Sequence, residues 1–298
     1  MNEHSAPGGF LQQLGAYARL MRLDRPAGIW LLAWPMMWAL WIAGEGRPDE
    51  NILIIFMLGA VITRSAGCII NDCADRNLDG QVARPRERPL ATGEVSSTEA
   101  LILFAGLGLL GIGLALMLNQ LSQIVAVAAV VLIIVYPFMK RFVSVPQLVL
   151  GLAFGCAVPM AFAALTNELP RVAWFLYAIT ALWAIIYDTM YAMCDREDDL
   201  VAGIRSTAIL FGDTDRFVVG AMQVTMLMAL TLLGQQLNFG GWYIAALVGV
   251  ALLMGYQQHL IRQREPSACL QAFLNNQFVG LVLFAGIALD YLYRAPAA

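Results

Sequence analysis

The chain has 298 residues, of which 60% are hydrophobic and 13% charged, against about 45–50% apolar and 25% charged in soluble domains. Most of it therefore belongs in lipid. A net charge of -3 argues against nucleic acid as a partner, because binding a phosphate backbone requires a clustered excess of Lys and Arg.

Residues 1–26 carry Glu3, Asp24 and three Arg ahead of the first apolar run. This is the pattern of neither a cleavable signal peptide nor a mitochondrial transit peptide, and a bacterial inner membrane is the expected location. From Ala27 onward the chain offers nine runs near the roughly 20 residues needed to span a bilayer core. They cover 27–43, 51–70, 98–117, 121–138, 146–165, 172–190, 217–234, 240–256 and 272–289. The runs are continuous rather than alternating, and in lipid every backbone group must be satisfied internally, so they predict helices and not barrel strands. The expected fold is all-α integral membrane, about nine transmembrane helices in a single domain over 1–298.

Connections after the first, third, fifth and seventh spans are short; those after the second and sixth are long, polar and rich in acids. All of the 18 Lys and Arg except Arg47, Arg171 and Arg294 fall on the N-terminus, on the even-numbered loops or, as Arg64, near the end of the second span. By the positive-inside rule that side is cytoplasmic. Gly151 and Gly155 in a GxxxG, with Gly106, Gly108, Gly111 and Gly113, predict close helix packing, and Pro159 predicts a kink. The five cysteines lack CxxC spacing and His4 lies far from His259, which argues against a disulfide framework or a zinc site.

At the cytoplasmic end of the second span the chain reads Asn71-Asp72-Cys73-Ala74-Asp75-Arg76-Asn77-Leu78-Asp79. If the helix continues past Ile70, Asn71, Asp72, Asp75 and Asp79 share one face. At the end of the sixth span Asp188, Tyr191, Asp195 and Asp199 form a second stripe at i, i+3, i+7 and i+11. Carboxylates one turn apart repel, by up to about 4 kcal/mol for a close pair near a protein surface, so something must compensate. A hard divalent cation does so with oxygen ligands alone, and Mg²⁺ takes one or two carboxylates together with substrate phosphates and water. Phosphate-binding cations follow on the same side: Tyr136, Lys140 and Arg141 end the fourth span, Arg84, Arg86 and Arg88 follow the first acidic run, and Arg205 follows the second. Asp pairs for metal beside Lys and Arg for oxygen suit a diphosphate leaving group. A single acidic motif at a helix end is more often mere solvated surface. Two of matched spacing on one membrane face are not. Glu197, Asp198, Asp213 and Asp215 read as solvated or capping residues.

These words resemble the intramembrane UbiA-type prenyltransferases over nearly the whole chain. Asn71, Asp75 and Asp79 match the family's NDxxDxxxD, Asp195 and Asp199 its late DxxxD, and Tyr136 with Lys140 its YxxxK. Arg22-Leu23-Asp24-Arg25-Pro26, Trp34-Pro35, Arg88-Pro89-Leu90-Ala91 and the run Tyr191 to Asp199 are similar to the branch that prenylates 4-hydroxybenzoate. One departure is Gly203-Ile204-Arg205-Ser206-Thr207, where the family's element carries Lys; another is Pro85 in place of Thr. The resemblance implies helices around a central lipid-open cavity under a cytoplasmic cap, where a polyprenyl diphosphate meets an aromatic acid.

On that reading Asn71, Asp72, Asp75 and Asp79 hold one Mg²⁺ and Asp195 and Asp199 a second. Tyr136, Lys140, Arg141 and Arg205 take the diphosphate, and Arg22, Arg25 or Arg64 the acid's carboxylate. Arg64 is the most telling of the three, since an intramembrane charge is costly unless used or paired. The expected product is 3-polyprenyl-4-hydroxybenzoate, for ubiquinone biosynthesis. A sister enzyme with dihydroxynaphthoate, homogentisate or haem as acceptor stays open, because the acidic motifs do not discriminate. So does a secondary transporter of an anionic solute, although such sites usually lie near the bilayer midplane.

Overall fold

A computed structural model describes residues 9–79, 88–203 and 205–294. Fourteen α-helices and two short 3-10 turns follow one another there, with no strand among the described residues. In order they are α1 (Phe10–Leu20), α2 (Ala27–Ala43), α3 (Glu50–Asp79), α4 (Pro89–Thr92), α5 (Ser97–Leu116), α6 (Gln120–Phe142), α7 (Pro146–Gly155), α8 (Ala157–Thr166), α9 (Arg171–Cys194), α10 (Arg196–Ala202), α11 (Thr207–Phe211), α12 (Asp215–Gln236), α13 (Gly241–Leu260) and α14 (Pro266–Tyr293). All nine apolar runs are helical. Seven stretches are long and apolar enough to cross a bilayer; Ala27–Ala43 and Gln120–Tyr136 are apolar but shorter.

Local chemistry starts these helices where they start. The Asp49 carboxylate accepts from the backbone N–H groups of Asn51 and Ile52 at the head of α3, and Asn119 accepts from Ser122 at the head of α6. Ser96 and Glu99 close a reciprocal capping box on α5, satisfying two amides that the helix itself leaves unbonded. Glu99 also accepts from Gln13 and Tyr17. It thereby fastens α1, a helix that the apolar runs do not foretell.

The core is built around α2, α9 and α14. α2 is buried along most of its length, and its Trp38 donates to the carbonyl of Gly280 at 3.0 Å. Trp38 meets Trp183 of α9 with ring centroids 5.1 Å apart, and the Trp183 indole donates to Asn276 of α14 at 3.0 Å. The indole N–H groups of Trp38 and Trp183 thus both have acceptors, as a low-dielectric interior favours, whereas that of Trp34 finds none among the described residues.

Two packing expectations divide. A Cβ on Gly151 would lie 2.6 Å from the carbonyl oxygen of Ala181, and one on Gly155 2.8 Å from the Tyr177 ring, so this GxxxG does bring α7 against α9. The α5 glycines do not pack closely: nothing approaches Gly106, Gly108 or Gly113 within 4 Å, and Gly111 touches only Ile62 at 3.6 Å. α5 lies at the rim, with Ala100 its one fully buried residue; it packs on α3 along the side of Leu103, Phe104 and Leu107, and its glycines add no close approach there. The fifth run is two helices, broken at Cys156 and not at Pro159. Proline acts one turn upstream, because its ring crowds the carbonyl four residues before it, here that of Gly155.

Candidate active site

α3 runs unbroken for 30 residues, about 45 Å, against a hydrocarbon core of about 30 Å. Its last turns therefore project beyond the lipid and carry Asn71 to Asp79 on one continuous helix, as expected. The side chains of Asp75 and Asp79 lie outside the described part of the structure, as do those of Lys140 and Arg141, and the whole of residues 80–87 with Arg84 and Arg86. By backbone register Asp75 and Asp79 follow Asn71 at i+4 and i+8 on one face.

Asp72 departs from that picture. It is 2% exposed and accepts from Arg88 at 2.9 Å and from Arg22 at 3.3 Å. Two guanidiniums therefore share its charge, which pins the N-terminal segment and the head of α4 to the end of α3. Arg22 is thus placed on an aspartate, and it sits in the left-handed region, φ +56°. Arg25 is exposed and pairs with its neighbour Asp24 at 3.7 Å.

The second acidic stripe is not one continuous helix. α9 ends at Cys194, Asp195 sits at the joint with φ -100° and ψ 9°, and α10 resumes at Arg196. The Asp199 amide still donates to the Asp195 carbonyl at 2.8 Å, so these two carboxylates stay one turn apart. After α10 the chain turns through Gly203, and Arg205 donates to the carbonyl of Phe142 at 3.0 Å. That bond brings the loop behind the second acidic motif to the end of α6, where Lys140 and Arg141 stand. Asp199, Arg205, Ser206 and Ser144 line a surface depression of about 280 Å³ there.

Asp215 is the residue the sequence misassigns. Expected to be solvated or a cap, it is wholly buried, accepts from Arg264 at 2.8–3.0 Å and from Arg196 at 3.4 Å. These hydrogen bonds hold the Arg264 guanidinium above its ordinary pKa. Arg196 also donates to the carbonyl of Gly212. The start of α10, immediately after Asp195, is thus fixed to the head of α12 and to the turn between α13 and α14. No local signal marks this: Arg264 is 49 residues from Asp215.

Deeper in the bundle three helices converge. Tyr187 of α9 is 3% exposed and interacts electrostatically with Asp188, with Arg64 of α3 and with Tyr136 of α6. Arg64 lies seven residues before Asn71 and Asp188 seven before Asp195, so both stand about 10 Å below the acidic motifs along their helices. The Arg64 Nε is buried with no hydrogen-bond partner among the described residues.

The described residues bring no three Asp, Glu, His or Cys side chains together as a metal-holding group. Asn71, Asp195 and Asp199 supply oxygen donors, and with Asp75 and Asp79 in register on α3 the set is all oxygen, the chemistry that a hard cation such as Mg²⁺ takes. The residues fit such an ion.

Comparison with known proteins identifies the family. Residues 32–293 match the model of the UbiA prenyltransferase family. The chain is 54% identical to a 4-hydroxybenzoate octaprenyltransferase of Nitrosococcus oceani over 94% of its length and 99% of that protein's. It is 53% identical to one from Methylococcus capsulatus over 97% and 99%. In three dimensions it is similar to the apo structure of a UbiA homologue from Aeropyrum pernix, with a TM-score of 0.77 at 23% identity over 87% of this chain and 97% of that one. A UbiA homologue from Archaeoglobus fulgidus, bound to GPP and Mg²⁺, superposes with a TM-score of 0.71 at 17% identity over 93% and 99%.

Proposed function

The chain belongs to the UbiA prenyltransferase family and is a multi-pass membrane enzyme; on that premise we propose that it transfers a polyprenyl group to 4-hydroxybenzoate in a chamber below its two acidic motifs. Its product is 3-polyprenyl-4-hydroxybenzoate, a step of ubiquinone biosynthesis, the reaction for which its relatives at 52–54% identity are named. The whole chain works as one transmembrane domain. The excess of Lys and Arg on one side supports a bacterial inner membrane with the acidic motifs facing the cytoplasm.

One observation carries this reading. Arg64 is a cation inside the bundle whose Nε is buried with no hydrogen-bond partner among the described residues, about two helical turns below an oxygen-rich helix end. That spacing suits an acceptor with a carboxylate to be held and a ring carbon to be prenylated. Arg64 takes that carboxylate as a planar fork, whereas Arg22 and Arg25 already have aspartate partners. Asn71, Asp75 and Asp79 would hold one Mg²⁺ and Asp195 and Asp199 another, and Asp72 acts through its arginines by holding the end of α3 in place. The ions supply charge neutralisation for the departing diphosphate.

Lys140, Arg141 and Arg205 donate to the diphosphate oxygens, with Tyr136 beside them, and steady the negative charge as the allylic C–O bond breaks and its electron pair leaves with the diphosphate. The aromatic face of Tyr187 steadies the allylic cation. The ring carbon ortho to the acceptor's hydroxyl forms the new C–C bond, and the proton it loses passes to Asp188, the carboxylate next to Tyr187. Buried apolar walls keep water from the cation.

The test uses membranes containing the full chain, 4-hydroxybenzoate, a polyprenyl diphosphate and Mg²⁺, with and without a chelator. Prenylated 4-hydroxybenzoate and free diphosphate appear together, and both vanish with the chelator. Prenylation of another acceptor in place of this acid, or turnover indifferent to chelation, defeats the proposal.

A further inference from the structure

Gly28 stands in the first turn of α2, buried against α3. A Cβ built there would lie 2.5 Å from Nε, 2.6 Å from Nη2 and 2.8 Å from Cζ of Arg64. All three atoms belong to the guanidinium group, so the backbone of α2 serves as the ledge on which that group rests. The clash a methyl would cause is therefore relieved by displacing a side-chain tip, not by parting two helices. That separates Gly28 from Gly151 and Gly280, where an added Cβ meets the Ala181 carbonyl or the large Trp34 ring.

We propose that Gly28 is a positioning residue for the acceptor: its missing side chain sets the depth and aim of the Arg64 guanidinium, and so selects an aromatic acid held by its carboxylate. The inference rests on the reading that Arg64 takes that carboxylate. Two observations meet in it: three guanidinium atoms stand where a Cβ on Gly28 would be, and the Nε of that group is buried with no partner among the described residues. A carboxylate bound by a fork needs both donors in one plane at hydrogen-bond distance. A guanidinium moved by about 1 Å loses that alignment, and misplacement on this scale costs up to roughly a hundredfold in a positioned reaction. Gly28 acts through Arg64, which is assigned to the acceptor, so binding of the prenyl donor stays outside its influence.

The experiment is a double-mutant cycle on the full-length protein, Gly28→Ala, Arg64→Ala and both together. It reads the equilibrium Kd for 4-hydroxybenzoate, the KM for polyprenyl diphosphate and the thermal midpoint. Gly28→Ala weakens 4-hydroxybenzoate binding on the order of tenfold or more, leaves the KM for the diphosphate unchanged and barely moves the midpoint. In the Arg64→Ala background the same methyl adds no further loss, because the group it displaces is gone. Equal losses in both backgrounds, or a rise in the diphosphate KM, assign Gly28 to helix packing and overturn the inference. An Arg64→Ala chain that binds 4-hydroxybenzoate as tightly as the native one overturns the assignment of Arg64 itself. Unchanged binding in Gly28→Ala beside weakened binding in Arg64→Ala overturns only the role of Gly28.

Discussion

At the end of α3, Asp72 lies 2% exposed between Arg22 and Arg88; at the head of α12, Asp215 is wholly buried between Arg196 and Arg264. In both places one carboxylate holds two guanidiniums that arrive from distant segments, and in both it secures a connection beside an acidic motif. The difference is where the carboxylate sits. Asp72 belongs to the motif itself, next to Asn71, so clamp and site share one turn of helix. Asp215 stands 20 residues beyond Asp195 and reaches the motif only through Arg196. On the proposed assignment of the acidic motifs, the first clamp couples folding to chemistry directly and the second separates them.

The largest expected effect tests the chemical end of that comparison. Asp195→Ala lowers the rate of prenylation on the order of a thousandfold while the purified protein keeps its thermal midpoint, as activity and melting curves measured side by side will record. Retained activity would show that the second motif holds no part of the reacting assembly.

Next come the clamps themselves. Asp215→Ala leaves two partly buried arginines facing one another and destabilises the fold by about 3 kcal/mol, the lower end of the usual range because water still reaches both guanidiniums. The protein that remains folded keeps its KM for both substrates. Asp72→Ala lowers the midpoint and the turnover of the folded fraction together. If the two variants behave alike in kinetics, the separation drawn between the clamps is wrong.

Within each clamp the shorter contact dominates. Arg264→Ala costs about 2 kcal/mol, as a charged bidentate hydrogen bond does, and Arg196→Ala about 1 kcal/mol, a difference visible as a larger fall in midpoint for the former. A reversed order would place the main anchor of α10 elsewhere. The smallest effect belongs to Arg205, which is exposed and bonded to one carbonyl. Arg205→Ala raises the KM for polyprenyl diphosphate several-fold, about 1 kcal/mol, with little change in stability, and Arg205→Lys restores most of it if charge alone matters.

How much of this was legible in the chain varies with the range of the interaction. Each of the nine apolar runs lies in helix, the fifth in two, although α3 continues to Asp79 and α14 already begins at Pro266, and the Asn71 to Asp79 register survived because α3 does extend past the lipid. Arg64 stood out for the same reason, a charge at bilayer depth. By contrast the α5 glycines misled: small residues at close spacing permit helix contact, but only a neighbour provides it. The Asp195 joint and helix α1 were likewise hidden, since each depends on what packs or bonds alongside, whereas the break at Cys156 is the kink expected of Pro159, displaced by one turn.

The sequence by itself determined that this is a helical membrane protein, which end of each long helix carries acid, and which family it resembles, because span length, helical period and motif spacing are all local quantities. Only the tertiary structure decided which arginines answer which aspartates, and that Gly28 supports Arg64. A buried charge must find its partner within a few ångströms, and the chain brings such partners from 49 or 50 residues away, a distance over which no periodicity reports.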